Sequence, residues 1–119
     1  MNWYLTKLVF RIICGDGLHK PQFDEQLRLI ESENEHQAFA KAVTIGKMEE
    51  DEFYNQDKKL VQWKFINVSE LYKLNGLLDG AELYSRIEEK DNADLYMEMT
   101  NRKAAHIKAN CTHKILEII

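Results

Sequence analysis

The chain has 119 residues, of which 45% are hydrophobic and 30% charged, and its net charge is −4. These values are typical of a soluble globular protein, and the length predicts a single domain over residues 1–119. An acidic chain lacks the basic field that a general nucleic-acid binder uses to displace counterions. Nucleic acid is therefore not an expected partner.

The first predicted element is a strand over residues 3–14, which are rich in β-branched and aromatic side chains. Lys7 and Arg11 interrupt this apolar run, and it is too short to cross a bilayer, so we expect neither a signal peptide nor a membrane partner. Cys14 and Cys111 have no CxxC partner and are expected to be reduced thiols of a cytoplasmic protein, although a disulfide between them stays possible.

A second strand is predicted over residues 23–31, after a loop that contains glycines and a proline. A loop this short favours an antiparallel hairpin with the first strand. Ser32 and Glu35 match a capping box, so a helix should follow. Its end is expected near residues 48–52, because an acidic run there opposes the negative end of the helix dipole.

The third strand is marked by Val61, Trp63 and Phe65, which alternate with polar residues as in a half-buried strand. A polar turn over residues 55–59 precedes it. Residues 69–78 fit either an extension of this strand or a single helical turn. The third strand is therefore expected to begin close to Leu60.

A fourth strand is predicted over residues 81–89, after the Asp79-Gly80 turn, and a second helix should begin at Asp91 or Asn92. The apolar tail over residues 114–119 is either a last short strand or an arm that docks elsewhere. The order is β-β-α-β-β-α. We therefore expect an α+β fold, with an antiparallel sheet of four or five strands and two helices on one face.

Side-chain alternation divides the predicted strand residues between two faces of the sheet. One parity is nearly all apolar and is expected to pack under the helices: Leu8, Phe10, Ile12, Phe23, Leu27, Leu29, Val61, Trp63, Phe65, Leu83 and Ile87. The other parity, here called the mixed face, combines apolar with basic side chains: Trp3, Leu5, Lys7, Val9, Arg11, Gln26, Arg28, Ile30, Gln62, Lys64, Ile66, Glu82, Tyr84, Arg86 and Glu88.

The mixed face supports two functional hypotheses besides a plain solvated surface. In the first, the protein is a self-associating interaction module that forms a homodimer through this face. In the second, the face binds a small anionic ligand, with or without catalysis, because guanidinium and ammonium groups suit carboxylate and phosphate. The candidate ligand-binding residues are Lys7, Arg11, Arg28, Lys64, Tyr84 and Arg86.

No spacing in the chain selects a catalytic, metal or cofactor site, so none of these is predicted and enzymatic activity stays open. Asp16, His19 and Asp24 lie near the first turn but lack a known metal-ligand spacing. His36 and His106 are possible general bases that nothing in the spacing distinguishes from solvated histidines. Neither a nucleophile elbow nor a glycine-rich phosphate loop is present in the sequence.

Several segments resemble a small bacterial family known as domain of unknown function 4288. The resemblance covers roughly residues 1–107 and implies a compact bacterial cytoplasmic domain, but it transfers no activity, cofactor or functional residue. The segments are Trp3-Tyr4-Leu5 with Lys7, residues 23–30, Ala38-Phe39 with Lys41-Ala42, Val61 with Trp63-Lys64-Phe65, residues 79–83, and Ser85-Arg86-Ile87.

Overall fold

The computed structural model describes residues 1–110, which form four strands and two helices. These are β1 (Asn2–Cys14), β2 (Gln22–Ser32), α1 (Glu35–Met48), β3 (Asp51–Tyr54), β4 (Leu60–Leu74) and α2 (Ala93–Asn110). The predicted α+β class and element order are confirmed. The tail expected over residues 114–119 lies outside the described residues.

The chain divides into two compact units, of which the first is Met1–Ser85 and the second begins at Arg86. The first unit contains the sheet and α1, and the second contains α2. The expectation of one domain over residues 1–119 stays a prediction.

The four strands form one antiparallel sheet in the order β2-β1-β4-β3. The central strand β1 pairs along almost its whole length with β2 on one side and β4 on the other. The register between β1 and β4 shifts twice, and the extra residues are Ser69 and Ile66 on β4. Each bulge increases the local twist, so the sheet is curled rather than flat.

Helix α1 begins two residues later than the capping-box prediction requires. The Asn34 side-chain oxygen accepts the backbone N–H of Gln37 at 2.9 Å, which makes Asn34 the N-cap. The Ser32 hydroxyl instead donates to the carbonyl of Asn34 at 3.1 Å. The predicted Ser32 cap is therefore wrong, although the helix and its expected end are confirmed.

The hydrophobic core lies between α1 and one face of the sheet. Ala38 and Ala42 of α1 are fully buried against the sheet, and Gly46 lies one turn further on against Phe65. Small residues at these positions let the helix approach the strands closely. The sheet contributes Tyr4, Leu8, Phe10 and Ile30, with Trp63, Phe65, Val68 and Leu71 packed around them. Full burial of each large side chain stabilises the fold by roughly 1.5–3 kcal/mol.

The predicted face assignment is wrong for β2. Tyr4 lies opposite Ile30 in the register, and both are buried in the core. Residues directly opposite each other share a face, so Arg28 lies on the α1 side with Ile30. Phe23, Leu27 and Leu29 lie on the other side. Alternation defines two faces within one strand, but the hairpin register decides which of them is covered.

The predicted third strand forms and is β4, but the strand before it was not predicted and the predicted fourth strand is wrong. Residues 51–54, to which the sequence assigned no strand, form the edge strand β3. Residues 69–74 extend β4. Of the two alternatives for residues 69–78, a strand extension or a helical turn, the strand extension is therefore correct. Residues 81–89 contain no regular secondary structure. β1 already has a neighbour on both sides, so this segment could have paired only with an edge strand.

The described part of the second unit contains the helix α2. The Asn92 side chain accepts the backbone N–H of Leu95 at 3.0 Å, which selects Asn92 from the two predicted caps. None of the 18 residues of α2 is buried. No helix within residues 1–110 is both long and apolar enough to cross a membrane.

Replacing Gly46 with alanine tests the close approach of α1 to the sheet. A Cβ atom at this position would overlap the ring of Phe65. Overpacking of this kind costs about 1–3 kcal/mol, whereas alanine normally stabilises a helix by about 1 kcal/mol relative to glycine. We therefore expect Gly46→Ala to lower the free energy of unfolding in urea, and to lower it less in a Phe65→Leu background. A more stable Gly46→Ala protein would contradict the packing.

Candidate functional site

The sheet face opposite α1 is the first candidate site, and we call it the outer face. Its residues follow from the register of β1 with its two neighbours: Trp3, Leu5, Lys7, Val9 and Arg11 of β1, Phe23, Glu25, Leu27, Leu29 and Glu31 of β2, and Lys64, Asn67, Glu70, Tyr72 and Leu74 of β4. Lys7 lies between Leu27 and Glu70 in this register, and Arg11 lies between Phe23 and Lys64.

One end of the outer face is occupied by an ion pair under aromatic rings. Lys7 Nζ lies 2.6 Å from a carboxylate oxygen of Glu70, and the two side chains are only 14% and 19% exposed. The hydrogen bond to Glu70 is the main reason why the pKa of Lys7 is raised. The Tyr72 hydroxyl donates to the same glutamate. Lys7 is therefore a neutralised, positioned cation rather than a free one.

The segment after β4 returns over this end of the outer face. The ring of Tyr84 lies 6.0 Å from Lys7 Nζ and packs edge-on against Tyr72, with ring centroids 5.5 Å apart. Leu5 and Leu74, on the same part of the face, are buried. The predicted turn at Asp79-Gly80 forms, and the backbone N–H of Ala81 donates to the carbonyl oxygen of Leu78 at 2.9 Å. This end of the sheet is therefore a second, smaller core.

The other side of the outer face carries three large apolar side chains in a row. Phe23, Leu27 and Leu29 of β2 are 56%, 54% and 48% exposed, and we call them the apolar strip. They occupy one face of an edge strand, and Glu25 interrupts them once. Contiguous exposed apolar side chains of this size are typical of interaction surfaces. The apolar strip is the outstanding feature of the outer face.

Five of the six residues predicted to bind a ligand belong to the first unit, where they lie on two sides of the sheet. Lys7, Arg11 and Lys64 lie on the outer face, and Tyr84 lies over Lys7. Arg28 lies on the α1 side of the sheet. Arg86 belongs to the second unit.

Four of the five predicted cations face a glutamate in the structure. Besides the pair at Lys7, Lys64 lies 3.8 Å from Glu52, and Arg28 lies 3.4 Å from Glu49. In the second unit, Arg86 lies 3.3 Å from Glu88. Arg11 is exposed. Because nearby carboxylates cancel much of the positive field, this arrangement does not favour a small anion.

A chain of hydrogen bonds runs along β2, and the sequence did not predict it. Trp63 Nε1–H donates to a carboxylate oxygen of Asp24 at 3.1 Å, and Gln26 Nε2–H donates to the same oxygen at 2.7 Å. The Arg28 guanidinium donates to Gln26 Oε1 at 2.7 and 3.1 Å and to Glu49 at 3.4 Å. We call Asp24, Gln26 and Arg28 the polar ladder. Their two-residue spacing in the sequence was the available signal.

The loop between β1 and β2 holds the residues that were weighed as a metal site. His19 Nε2 accepts the backbone N–H of Cys14 at 2.9 Å, which places the ring proton on Nδ1, 2.9 Å from the Lys20 carbonyl. Asp16 accepts the Leu18 N–H at 3.0 Å, as turn residues do. Asp24 belongs to the polar ladder instead. Among residues 1–110, no group of three potential metal ligands comes together.

These observations define the first unit as a small α+β domain with one helix on a curled antiparallel sheet and an exposed apolar edge strand. A family model described as Domain of unknown function (DUF4288) matches residues 3–85, and the chain belongs to this family. The resemblance seen in the sequence is therefore confirmed, and the matched residues coincide closely with the unit Met1–Ser85. No curated protein and no solved structure matches the chain.

The Lys7–Glu70 pair predicts a pH dependence of stability. The pKa of Lys7 is raised in the folded protein above its ordinary value of 10.5, so the pair stabilises the fold below that pH. This contribution is lost as the pH rises through the raised pKa. We expect Glu70→Gln to lower the free energy of unfolding by about 1–3 kcal/mol at neutral pH.

The difference between wild type and Glu70→Gln should then shrink as Lys7 loses its proton. Urea unfolding from neutral pH to about pH 12, beyond the ordinary lysine pKa, measures it. Glu33→Gln, an exposed position in the turn before α1, is the matched control and should leave stability unchanged. A constant difference between wild type and Glu70→Gln at every pH would contradict the assignment.

Proposed function

We propose that this domain is a non-enzymatic interaction module that self-associates as a homodimer. The observation that carries the proposal is the apolar strip, three large side chains about half exposed along one edge strand. Aromatic and large aliphatic side chains are common at the centre of interfaces, and two-fold dimers are the commonest assembly of identical chains. Removing these side chains from water would supply the driving force.

The location of the apolar strip also supports self-association. Tyr84 packs on the Lys7 end of the outer face, whereas Phe23, Leu27 and Leu29 stay exposed beside it. The chain therefore covers one apolar area of the outer face and leaves the other open to solvent. A second copy of the domain would bring an apolar strip of the same composition to meet it.

Binding of a small anionic ligand stays a second hypothesis, ranked lower because glutamates face four of the predicted cations. It predicts that inorganic phosphate raises the melting temperature of wild type and does not raise it in Arg11→Ala. The cytoplasmic location is retained as part of the proposal, on the expectation that the cysteines are reduced; Cys111 lies outside the described residues.

The substitution Leu27→Glu tests the proposed dimer. It places a charge in the middle of the apolar strip at a position that is 54% exposed, so the fold itself should tolerate it. We expect size-exclusion light scattering to give a dimer mass for wild type and a monomer mass for Leu27→Glu over the same concentration range.

Leu18→Glu is the matched control, because Leu18 is 88% exposed in the loop before β2 and lies outside the apolar strip. This variant should remain dimeric, and circular dichroism should show that both variants are folded. A wild-type protein that is monomeric at every concentration removes the proposal. So does a Leu27→Glu protein with the dimer mass of wild type.

A further inference from the structure

The edge strand β2 has the features of a strand that pairs with another chain. It is the outermost strand on its side of the sheet, it is 11 residues long, and its register with β1 has no shift. It contains no proline, lysine or bulge, which natural edge strands often use to prevent pairing. The opposite edge consists of β3, which has only four residues, two of them acidic, and of residues 64–74 of β4, which contain two bulges.

We propose that β2 pairs antiparallel with β2 of a second copy, so that two four-stranded sheets join into one of eight strands. This inference rests on the proposed self-association and specifies its geometry. A two-fold axis perpendicular to the sheet would relate the copies, so each residue would face a residue of the same parity. The pattern of charges along β2 then selects the register.

We call a register centred on a residue when that residue lies opposite itself in the second copy. The register centred on Gln26 places opposite charges against each other. Asp24 of each copy lies opposite Arg28 of the other, and Gln26 lies opposite itself. On the outer face, Phe23 lies opposite Leu29 of the second copy, and Glu25, which is exposed, lies opposite Leu27. Opposite charges and aromatic–aliphatic pairs are favourable cross-strand neighbours. The two apolar strips would thereby pack side by side across the new strand pair, and each would shield part of the other from water.

The neighbouring registers are less favourable. Centring the pair on Leu27 places the Asp24 carboxylate opposite Ile30, which is buried in the core. Centring it on Arg28 places Arg28 opposite itself and Glu25 opposite Glu31. Like charges directly opposite each other destabilise a strand pair. The Gln26 register alone among the three pairs Asp24 with Arg28.

The polar ladder prepares β2 for this register. Trp63 and Gln26 hold the Asp24 carboxylate, and Gln26 and Glu49 hold the Arg28 guanidinium. Both charged groups are therefore positioned before association, which reduces the entropy lost on binding. The pairing would span residues 22–30. Lys41 Nζ donates to the Glu31 carbonyl at 3.1 Å, one residue beyond this span, so it does not occupy a backbone group that the pairing needs.

A cysteine at the centre of the proposed pair tests the register directly. Opposite residues in antiparallel strands have Cα atoms about 4.5–5.5 Å apart, within the range a disulfide needs. We expect Gln26→Cys, made in a Cys14→Ser, Cys111→Ser background, to form a disulfide-linked dimer with oxidised glutathione. Gln22→Cys is the matched control on the same strand and face. It should stay unlinked, since its two copies would lie roughly 26 Å apart.

The outcomes separate the register from the proposed function. Gln26→Cys linked and Gln22→Cys unlinked support the inference. If wild type is a dimer but Gln26→Cys does not link, or both variants link equally, the β2 pairing is wrong and self-association stands. If wild type is a monomer in light scattering, both proposals fail.

Charge reversal provides a second test that does not depend on cysteine chemistry. Asp24→Arg or Arg28→Asp alone would place like charges opposite each other, and each should raise the dimer dissociation constant by about tenfold or more. The double reversal should restore most of the affinity, because Asp24 and Arg28 lie four residues apart on one strand and can pair only across copies. Glu33→Gln, an exposed position outside the proposed pairing, is the matched control and should leave the dissociation constant unchanged. Failure of the double reversal to restore affinity overturns the register.

Discussion

The register between β1 and β2 determines the character of both faces of the sheet. It places Ile30 opposite Tyr4 under α1 and turns Phe23, Leu27 and Leu29 outward. A shift of one residue would reverse every side chain of β2, because the side-chain period of a strand is two. The apolar strip and the polar ladder are therefore two faces of one strand, and both depend on the burial of a single isoleucine against α1.

The close packing of α1 reinforces this arrangement. Ala38, Ala42 and Gly46 lie at helical spacing and bring the helix axis close to Phe10 and Phe65. The α1 side of the sheet is filled, and Tyr84 packs on part of the outer face. The remaining apolar side chains lie along β2, which also has an unpaired edge. The proposed interface therefore combines an apolar face and a backbone edge on the same element.

Several elements were predictable from the sequence because their signals are local. The composition of β1, the helical spacing in α1 and the Asn92 cap each depend on residues within a few positions of one another. The family resemblance was predictable for the same reason, since its motifs are short segments of the chain. Of the candidate site residues, Lys7, Arg11 and Lys64 were correctly placed on one face, because β1 and β4 keep the assumed parity there.

The sequence by itself therefore determined the α+β class, the order of elements and the family, all of which follow from local patterns. The tertiary structure decided which face of β2 is buried, that residues 51–54 pair as a strand, and which glutamate lies beside Lys7, Arg28 and Lys64. These features depend on contacts between residues far apart in the chain. Lys7 meets Glu70, and Asp24 meets Trp63, only because the register brings their strands together.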